Sequence, residues 1–265
     1  MKQNWILNLE KLQLDYAVLG SSRVLNMVDI KSLDSTFNKK GINLGTSGSG
    51  YAENFIILSE FLSKNTISTL ILNMDEYCFN SKNSYSHPFH EYEFLPLFNK
   101  YNEVFEDNIP IWKFYLWKIV PLTKYIEFND RFHLKKHFFP NQNMGTELID
   151  VKSEEYNKIE NKRSQQIILK LDEKYFLKII QLCAIHKIKV VLITTPIFTK
   201  NGRYDNIKFN HYIDSISSKL NLNYYDFEGL ITNNPNNFKD QTHTNKRGSI
   251  EYSVNLGKKL KINNE

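Results

Sequence analysis

The stretch that decides the fold is YAVLGSSRVLNMVD, residues Tyr16 to Asp29. Its first four residues are apolar or aromatic, and they run directly into GSSR at residues 20–23. Apolar residues then recur with helical spacing, from Val24 to Val28. This pattern predicts a buried strand that turns into a helix. A serine at such a turn is either the N-cap of the helix or a nucleophile held at the edge of the sheet.

The same alternation of strand and helix continues along the chain. The predicted strands are Tyr16–Leu19, Ile42–Leu44, Thr69–Asn73, Val190–Thr194 and Tyr224–Phe227. The predicted helices are Val24–Phe37, Glu53–Leu62, Asp172–His186, Asn206–Leu220 and Lys246–Leu260. Short apolar strands that alternate with helices predict an α/β fold of three layers, α/β/α, around a mainly parallel sheet.

Between Glu76 and about Gln165 the alternation lapses, and aromatic residues and prolines become frequent. We predict a single domain over residues 1–265, with a mainly helical, aromatic-rich insertion over residues 76–165. Ligand sites in open α/β sheets gather at the carboxyl ends of the strands. The insertion is therefore expected to be a lid or a substrate wall, with simple packing decoration as the alternative.

Composition restricts the class of protein. Hydrophobic residues make up 41% and charged residues 24% of the 265 residues, as in ordinary globular domains. The net charge is +5, but the lysines are scattered among acids, so no nucleic-acid partner is predicted. Cys78 and Cys183 are predicted to be reduced, buried thiols. The sequence gives no signal for the oligomeric state.

The chain as written shows neither a signal-peptide core nor an apolar run as long as a membrane span. This predicts a cytoplasmic protein without an intrinsic membrane segment. The alternative is a periplasmic or membrane-anchored location, if the chain is truncated or a partner tethers it.

A second polar constellation lies near the C-terminus, where Asp240 and His243 stand three residues apart before a helix. At this spacing a carboxylate can fold back onto one imidazole nitrogen and leave the other free to take a proton from a serine. A turn-capping Asp240 and an exposed His243 are the alternative.

Two further constellations follow predicted strands. The loop NLGTSGSG, residues 43–50, has glycines that allow positive φ and close backbone approach. It is either a phosphate cradle or a source of an amide donor to an oxyanion. Asn73 and Asp75 end the third predicted strand, where they either point into the site or form a turn.

Histidine pairs at His87/His90 and His133/His137 have spacings that metal sites use. Neither pair has an obvious acidic or thiol partner, so no metal and no cofactor are predicted. Aromatic residues of the insertion either stack on sugar rings or form its core.

The order of these elements resembles the SGNH (GDSL-like) hydrolase superfamily over residues 15–77 and 185–260. A serine follows the first strand, a glycine loop the second, polar residues the third, and Asp-x-x-His lies near the C-terminus. The resemblance implies a flavodoxin-like core and Ser-His-Asp catalysis, with Ser22 as nucleophile and Asp240 and His243 completing the triad.

The resemblance also implies an oxyanion hole, to which Ser22, Gly48 and a side chain of the third block, Asn73 or Asp75, would contribute. Two departures from the family pattern matter. Ser21 stands where the family usually has Asp, and Asn73-Met74-Asp75-Glu76 stands where it offers Gly-x-Asn-Asp. If Asp75 takes the place of the asparagine, an amide donor is lost.

The Gly-Ser-Ser-Arg form resembles a branch associated with acylation and deacylation of bacterial surface polymers. We therefore expect a serine esterase or O-acyltransferase that removes or transfers an acyl group, foremost O-acetyl, on a carbohydrate of a bacterial surface polysaccharide. A transferase would also need an acyl donor. Arg23, His87 and His90 are expected to contact the substrate. The rival hypothesis is a non-catalytic glycan-binding or assembly protein on a degenerate scaffold, and transfer of a non-acyl group remains a third.

Overall fold

The computed structural model describes residues 2–79, 94–123, 143–150, 171–198 and 207–262. Within them, five strands form one sheet in the order β2-β1-β3-β4-β5, and every neighbouring pair is parallel. The strands are β1 Gln13–Leu19, β2 Gly41–Asn43, β3 Thr66–Asn73, β4 Lys189–Ile193 and β5 Asn223–Tyr225. The helices are α1 Lys2–Leu7, α2 Ser22–Met27, α3 Ile30–Phe37, α4 Tyr51–Leu62, α5 Asn102–Asn108, α6 Ile111–Ile119, α7 Lys174–Ile185, α8 Ile207–Lys219 and α9 Lys246–Ile262. Short 3₁₀ turns span Glu76–Phe79, Leu95–Leu97, Asn143–Gly145 and Pro235–Asn237.

Both faces of the sheet are covered, as the run of apolar residues in β1 requires. Tyr16 and Val18 pack with α2, α3 and α9 on one face, whereas Ala17 and Leu19 pack with α4, α7 and α8 on the other. Adjacent strand residues point to opposite faces, so a strand buried on both sides is apolar at every position. The predicted three-layer α/β/α fold is confirmed, and the described sheet is entirely parallel.

The strand order places a crevice beside the turn after β1. The chain passes from β1 to β2 over the face covered by α2 and α3, and from β2 to β3 over the face covered by α4. In this flavodoxin-like order the connections diverge between β1 and β3, and ligands bind at the carboxyl ends of strands at such a point. Residues that follow Leu19 and Asn73 therefore border the crevice.

One predicted helix is wrong, since the pattern over residues 24–37 is divided into α2 and α3 by Val28 and Asp29. Asp29 caps α3, because its carboxylate accepts a hydrogen bond from the N–H of Ser32 at 3.2 Å. Thr146 donates its hydroxyl to the Val28 carbonyl at 2.9 Å. The apolar period runs unbroken through this junction, so the apolar pattern alone does not show the break. The local signal of the break is Asp29, a residue type that is favoured at helix N-caps.

The described part of the predicted insertion contributes helices and buried rings. Phe98 packs against Phe105, Phe114 and Trp117, with ring centroids 5.1, 5.5 and 5.8 Å apart. These rings join the core on the α4 and α7 side of the sheet. The segment 143–150 lies on the other face, against α2 and α3. That residues 76–165 act as one insertion stays a prediction.

Candidate active site

Two adjacent serines in the turn after β1 have different contacts. Ser21 is the N-cap of α2, because its Oγ accepts a hydrogen bond from the N–H of Arg23 at 3.3 Å. Ser22 is the first residue of the helix and is half-buried. Its Oγ lies 2.8 Å from Nε2 of His243. One serine therefore caps the helix, and the next presents its hydroxyl to an imidazole.

Two glycines allow the loops after β1 and β2 to meet. A Cβ on Gly20 would lie 2.6 Å from Cγ2 of Val24, and a Cβ on Gly45 would lie 2.7 Å from the backbone nitrogen of Leu25. Neither position has room for a Cβ atom, so both require glycine. The N–H of Thr46 donates to the Gly20 carbonyl at 3.1 Å and joins the two loops directly.

The loop before α9 folds a carboxylate back onto an imidazole. Oδ1 of Asp240 accepts the backbone N–H groups of Thr242 and His243 at 2.8 and 2.9 Å, which is the geometry of an Asx turn. The two carboxylate oxygens lie 2.9 and 3.0 Å from Nδ1 of His243. A carboxylate at Nδ1 favours the tautomer with its proton there, which leaves Nε2 as an acceptor toward Ser22.

Hydrogen bonds join α9 to the end of α2 and to the N-cap of α3. Oγ of Ser249 lies 2.7 Å from the carbonyl oxygen of Asn26. Oγ of Ser253 accepts the N–H of Asp29 at 2.8 Å. The helix that follows His243 is thus bonded to the helix that begins at the serine turn.

The local electrostatics keep the carboxylate ionised. Partial burial alone would raise the pKa of Asp240, but hydrogen bonds from His243 and Thr242, together with the charge of the imidazolium, lower it to about 2. The side chains of Asp240 and His243 are 45% and 23% exposed. An ionised Asp240 can orient the ring and stabilise the imidazolium that forms when His243 takes a proton.

Thr242 belongs to this loop, although sequence reasoning did not single it out. Its hydroxyl lies 3.1 Å from Oδ1 of Asp240 and 3.2 Å from Nδ1 of His243. A threonine two residues after an aspartate is a common Asx-turn position, and that signal could have identified it.

Asn73 and Asp75, both predicted near an oxyanion, have different surroundings. Asn73 ends β3 and is fully buried, yet neither polar atom of its side chain hydrogen-bonds to any described residue. Its Cβ lies 3.0 Å from the position of a Cβ on Gly20, beside the serine turn. Asp75 is also buried, but its oxygens accept hydrogen bonds from Oγ of Ser21 and N–H of Tyr77, each at 3.1 Å. An unpaired buried amide is uncommon in folded proteins, which makes Asn73 a candidate donor to a bound group.

Arg23, expected to contact substrate, is directed into the protein. It is 6% exposed, and its Nη2 donates to the carbonyl of Thr195 at 2.5 Å. Its Nη1 lies 3.7 Å from Oδ1 of Asp75. All of these contacts are with protein groups, and a substrate contact of Arg23 stays a prediction.

The remaining predicted positions are placed as follows. Gly48, in the loop after β2, has φ +70°, which is the left-handed conformation that glycine permits. His87 and His90 lie outside the described residues, as do His133 and His137. Cys78 and Cys183 are buried free thiols, as predicted.

Neither of two other kinds of site is found where the structure is described. Within those ranges, no group of three or more His, Cys, Asp or Glu side chains is arranged to hold a metal ion. None of the described helices is both long enough and apolar enough to cross a membrane.

Comparison with known proteins gives only weak likenesses. No protein-family model matches the chain, and no curated protein matches its sequence. Among solved structures, a GDSL-like lipase from Bacteroides thetaiotaomicron superposes with a TM-score of 0.46 and 10% identity, covering 96% of this chain and 89% of that one. A carbohydrate acetylesterase family member from Sinorhizobium meliloti superposes with a TM-score of 0.45 and 8% identity, covering 94% and 98%. Likenesses this weak assign neither a family nor an activity to this chain.

Proposed function

We propose that the chain is a serine esterase or O-acyltransferase of the SGNH (GDSL-like) type. It would act on an acyl group, foremost O-acetyl, carried by a carbohydrate of a bacterial surface polysaccharide. The observation that carries the proposal is the 2.8 Å contact between Oγ of Ser22 and Nε2 of His243, continued by the 2.9 Å contact between Nδ1 and Asp240. A hydroxyl, a base and a carboxylate in one chain of contacts are what nucleophilic catalysis by serine requires.

In the proposed reaction, Oγ of Ser22 attacks the acyl carbonyl while Nε2 of His243 takes the hydroxyl proton. The C–O bond to the sugar then breaks, and His243 returns the proton to the departing sugar oxygen. Water or a second sugar hydroxyl attacks the acyl-serine by the same path in reverse. Asp240 stays ionised throughout and stabilises the imidazolium, consistent with its pKa of about 2.

The tetrahedral intermediate carries a negative oxygen that needs hydrogen-bond donors. We assign this role to the backbone N–H groups of Ser22 and Gly48 and to the side-chain amide of Asn73. The buried, unpaired amide of Asn73 supports the third assignment over Asp75. The oxygens of Asp75 already accept hydrogen bonds from Ser21 and Tyr77.

The carbohydrate part of the proposal rests on the aromatic-rich insertion and on the Gly-Ser-Ser-Arg resemblance. In α6, Trp112 and Tyr115 are 63% and 48% exposed, and exposed rings of this kind can stack on sugar faces. His87 and His90 would add hydrogen bonds to sugar hydroxyls. If water is excluded from the acyl-serine, a sugar hydroxyl accepts the acyl group and the enzyme is a transferase.

The test is turnover of a small aryl acetate, together with acetate release from O-acetylated polysaccharide, with and without a sugar acceptor. The test variant is Ser22→Ala, and the control is Ser218→Ala. Ser218 is an exposed serine of α8, far from Ser22 in sequence. We expect Ser22→Ala to lose turnover and Ser218→Ala to match the wild type. Equal turnover by both variants would refute the proposal, whereas binding of acetylated glycan without any turnover would favour the glycan-binding rival.

A further inference from the structure

A buried polar cluster lies directly behind the turn that carries Ser22. Its members are Ser21, Arg23 and Asp75, which are 3%, 6% and 3% exposed, and the backbone carbonyl of Thr195. They come from the carboxyl ends of β1, β3 and β4. The proposed chemistry does not use their side chains directly.

Three of the four contacts in the cluster join the start of α2 to a neighbouring strand end, and the fourth lies within the start of α2 itself. Oγ of Ser21 donates to Oδ2 of Asp75 at 3.1 Å and accepts the N–H of Arg23 at 3.3 Å. Nη2 of Arg23 donates to the Thr195 carbonyl at 2.5 Å, and Nη1 lies 3.7 Å from Oδ1 of Asp75. The start of α2 is thereby bonded to the residues that follow β3 and β4.

We propose that Arg23 and Asp75 are positioning residues, linked by Ser21, that hold Ser22 at its distance from His243. The proposal rests on the proposed role of Ser22 as nucleophile. Arg23 acts through the direction of α2, and Asp75 acts through the Ser21 hydroxyl and the guanidinium.

The short helix explains why such contacts are needed. A helix of six residues is marginal on its own, so the direction of α2 depends on what its side chains contact. A planar guanidinium binds its acceptors in few orientations, which makes it a better positioning group than an apolar side chain. A displacement of about 1 Å in a reacting group costs on the order of 10²-fold in rate.

Net stability is a poor explanation for this buried pair. The cost of removing two charges from water offsets much of their attraction, and apolar replacements of both partners are often neutral or stabilising. A positioning role therefore predicts that the rate and the stability of variants change independently.

The experiment measures kcat and KM for a small aryl acetate, with Tm, for Asp75→Asn, Arg23→Lys and Ser21→Ala. We expect kcat to fall about 10- to 100-fold for the first two and severalfold for Ser21→Ala, with KM nearly unchanged. Tyr16→Phe is the matched control, because it removes a partly buried side-chain hydrogen bond of β1, from Tyr16 Oη to Asp34 at 2.5 Å. It should lower Tm and leave kcat unchanged.

The double variant Arg23→Met with Asp75→Leu removes both charges, so it distinguishes positioning from charge neutralisation. It also tests the positioning role if the single variants fail to fold. We expect it to regain Tm while kcat stays low. Recovery of kcat to within about twofold of wild type, or a wild-type kcat in Ser21→Ala, would overturn the proposal. If the wild type itself turns over no ester, the proposed function fails. If the wild type is active, Ser22→Ala is inactive and the cluster variants keep their kcat, only the positioning role fails.

Discussion

The edge of the sheet around Ser22 and the described part of the predicted insertion are held by different kinds of contact. At the sheet edge, directional contacts join polar atoms of separate elements, as in the 2.8 Å contact between Ser22 and His243. In the insertion, rings such as Phe98 and Phe105 pack on one another, and surface pairs such as Lys178 and Glu103 join it to α7. Directional contacts tolerate little displacement, whereas apolar packing tolerates more. Variants at the sheet edge should therefore change the rate, and variants in the insertion should change stability or substrate affinity.

The largest effect is expected from the residues that exchange the proton. Ser22→Ala and His243→Ala should each lower kcat for a small acetyl ester by about 10⁴-fold or more, since each removes the activated nucleophile. The double variant should be little worse than either single variant. Steady-state kinetics of the three proteins tests this, and multiplied losses in the double variant would show that the two residues do not act as a unit.

Asn73 and Asn65 provide the sharpest contrast between rate and stability. Asn65 directly precedes β3, and Asn73 is the last residue of that strand. Asn73→Ala should lower kcat about 10²- to 10³-fold, as expected for loss of one oxyanion donor, and should barely lower Tm. Asn65 instead accepts the N–H of Leu12 and donates to the Phe61 carbonyl, both at 2.8 Å. Asn65→Ala should lower Tm and leave kcat unchanged. The same pattern in both variants would remove Asn73 from the proposed oxyanion hole.

Substitutions in the insertion should affect the polysaccharide substrate and not the small acetyl ester. Replacing the exposed Trp112 or Tyr115 by Ala should raise KM for acetylated polysaccharide severalfold, because stacking on sugar rings is lost. A small acetyl ester reaches Ser22 without that surface, so its kinetics should stay unchanged. Parallel assays on both substrates, with Tm as a check on folding, test this. Equal losses on both substrates would mean that the insertion shapes the catalytic site itself.

The smallest effect concerns stability in acid. The folded-state pKa of Asp240 is lowered from 3.8 to about 2, so its contacts contribute stability that is fully present above pH 3.8 and is lost as pH falls through about 2. Urea midpoints of wild type and Asp240→Asn should therefore differ most above pH 3.8 and converge near pH 2. A difference that widens as the pH falls through that window would contradict the lowered pKa.

Much of the fold could be predicted from local pattern. The strand over Tyr16–Leu19 is apolar or aromatic at every position, and Gly20 marks its end. The buried strand and the turn could therefore be predicted from the sequence. The break between α2 and α3 was not predicted, because the apolar period continues across it. Asp29, which caps α3, was the local signal of the break, whereas the contact of Thr146 with the Val28 carbonyl comes from a distant segment.

In the candidate site, too, some contacts follow from local sequence spacing and others only from the tertiary fold. The spacing of Asp240 and His243 predicted their contact because three residues of one loop bring both groups together. The surroundings of Asp75 depend on Ser21 and Arg23, which reach it only through the tertiary fold. The side-chain amide of Asn73 hydrogen-bonds to none of the described residues. No local pattern distinguishes a buried asparagine with an unpaired amide from one that forms a turn.

The central claim is that Ser22 is a nucleophile activated by His243, and the most direct measurement is covalent labelling by a fluorophosphonate, located by peptide mass spectrometry. The account predicts one label per chain, on Ser22, in the wild type and in Ser218→Ala. It also predicts loss of that label in Ser22→Ala and strongly slowed labelling in His243→Ala. Labelling at another serine, or a rate at Ser22 that does not depend on His243, would contradict it.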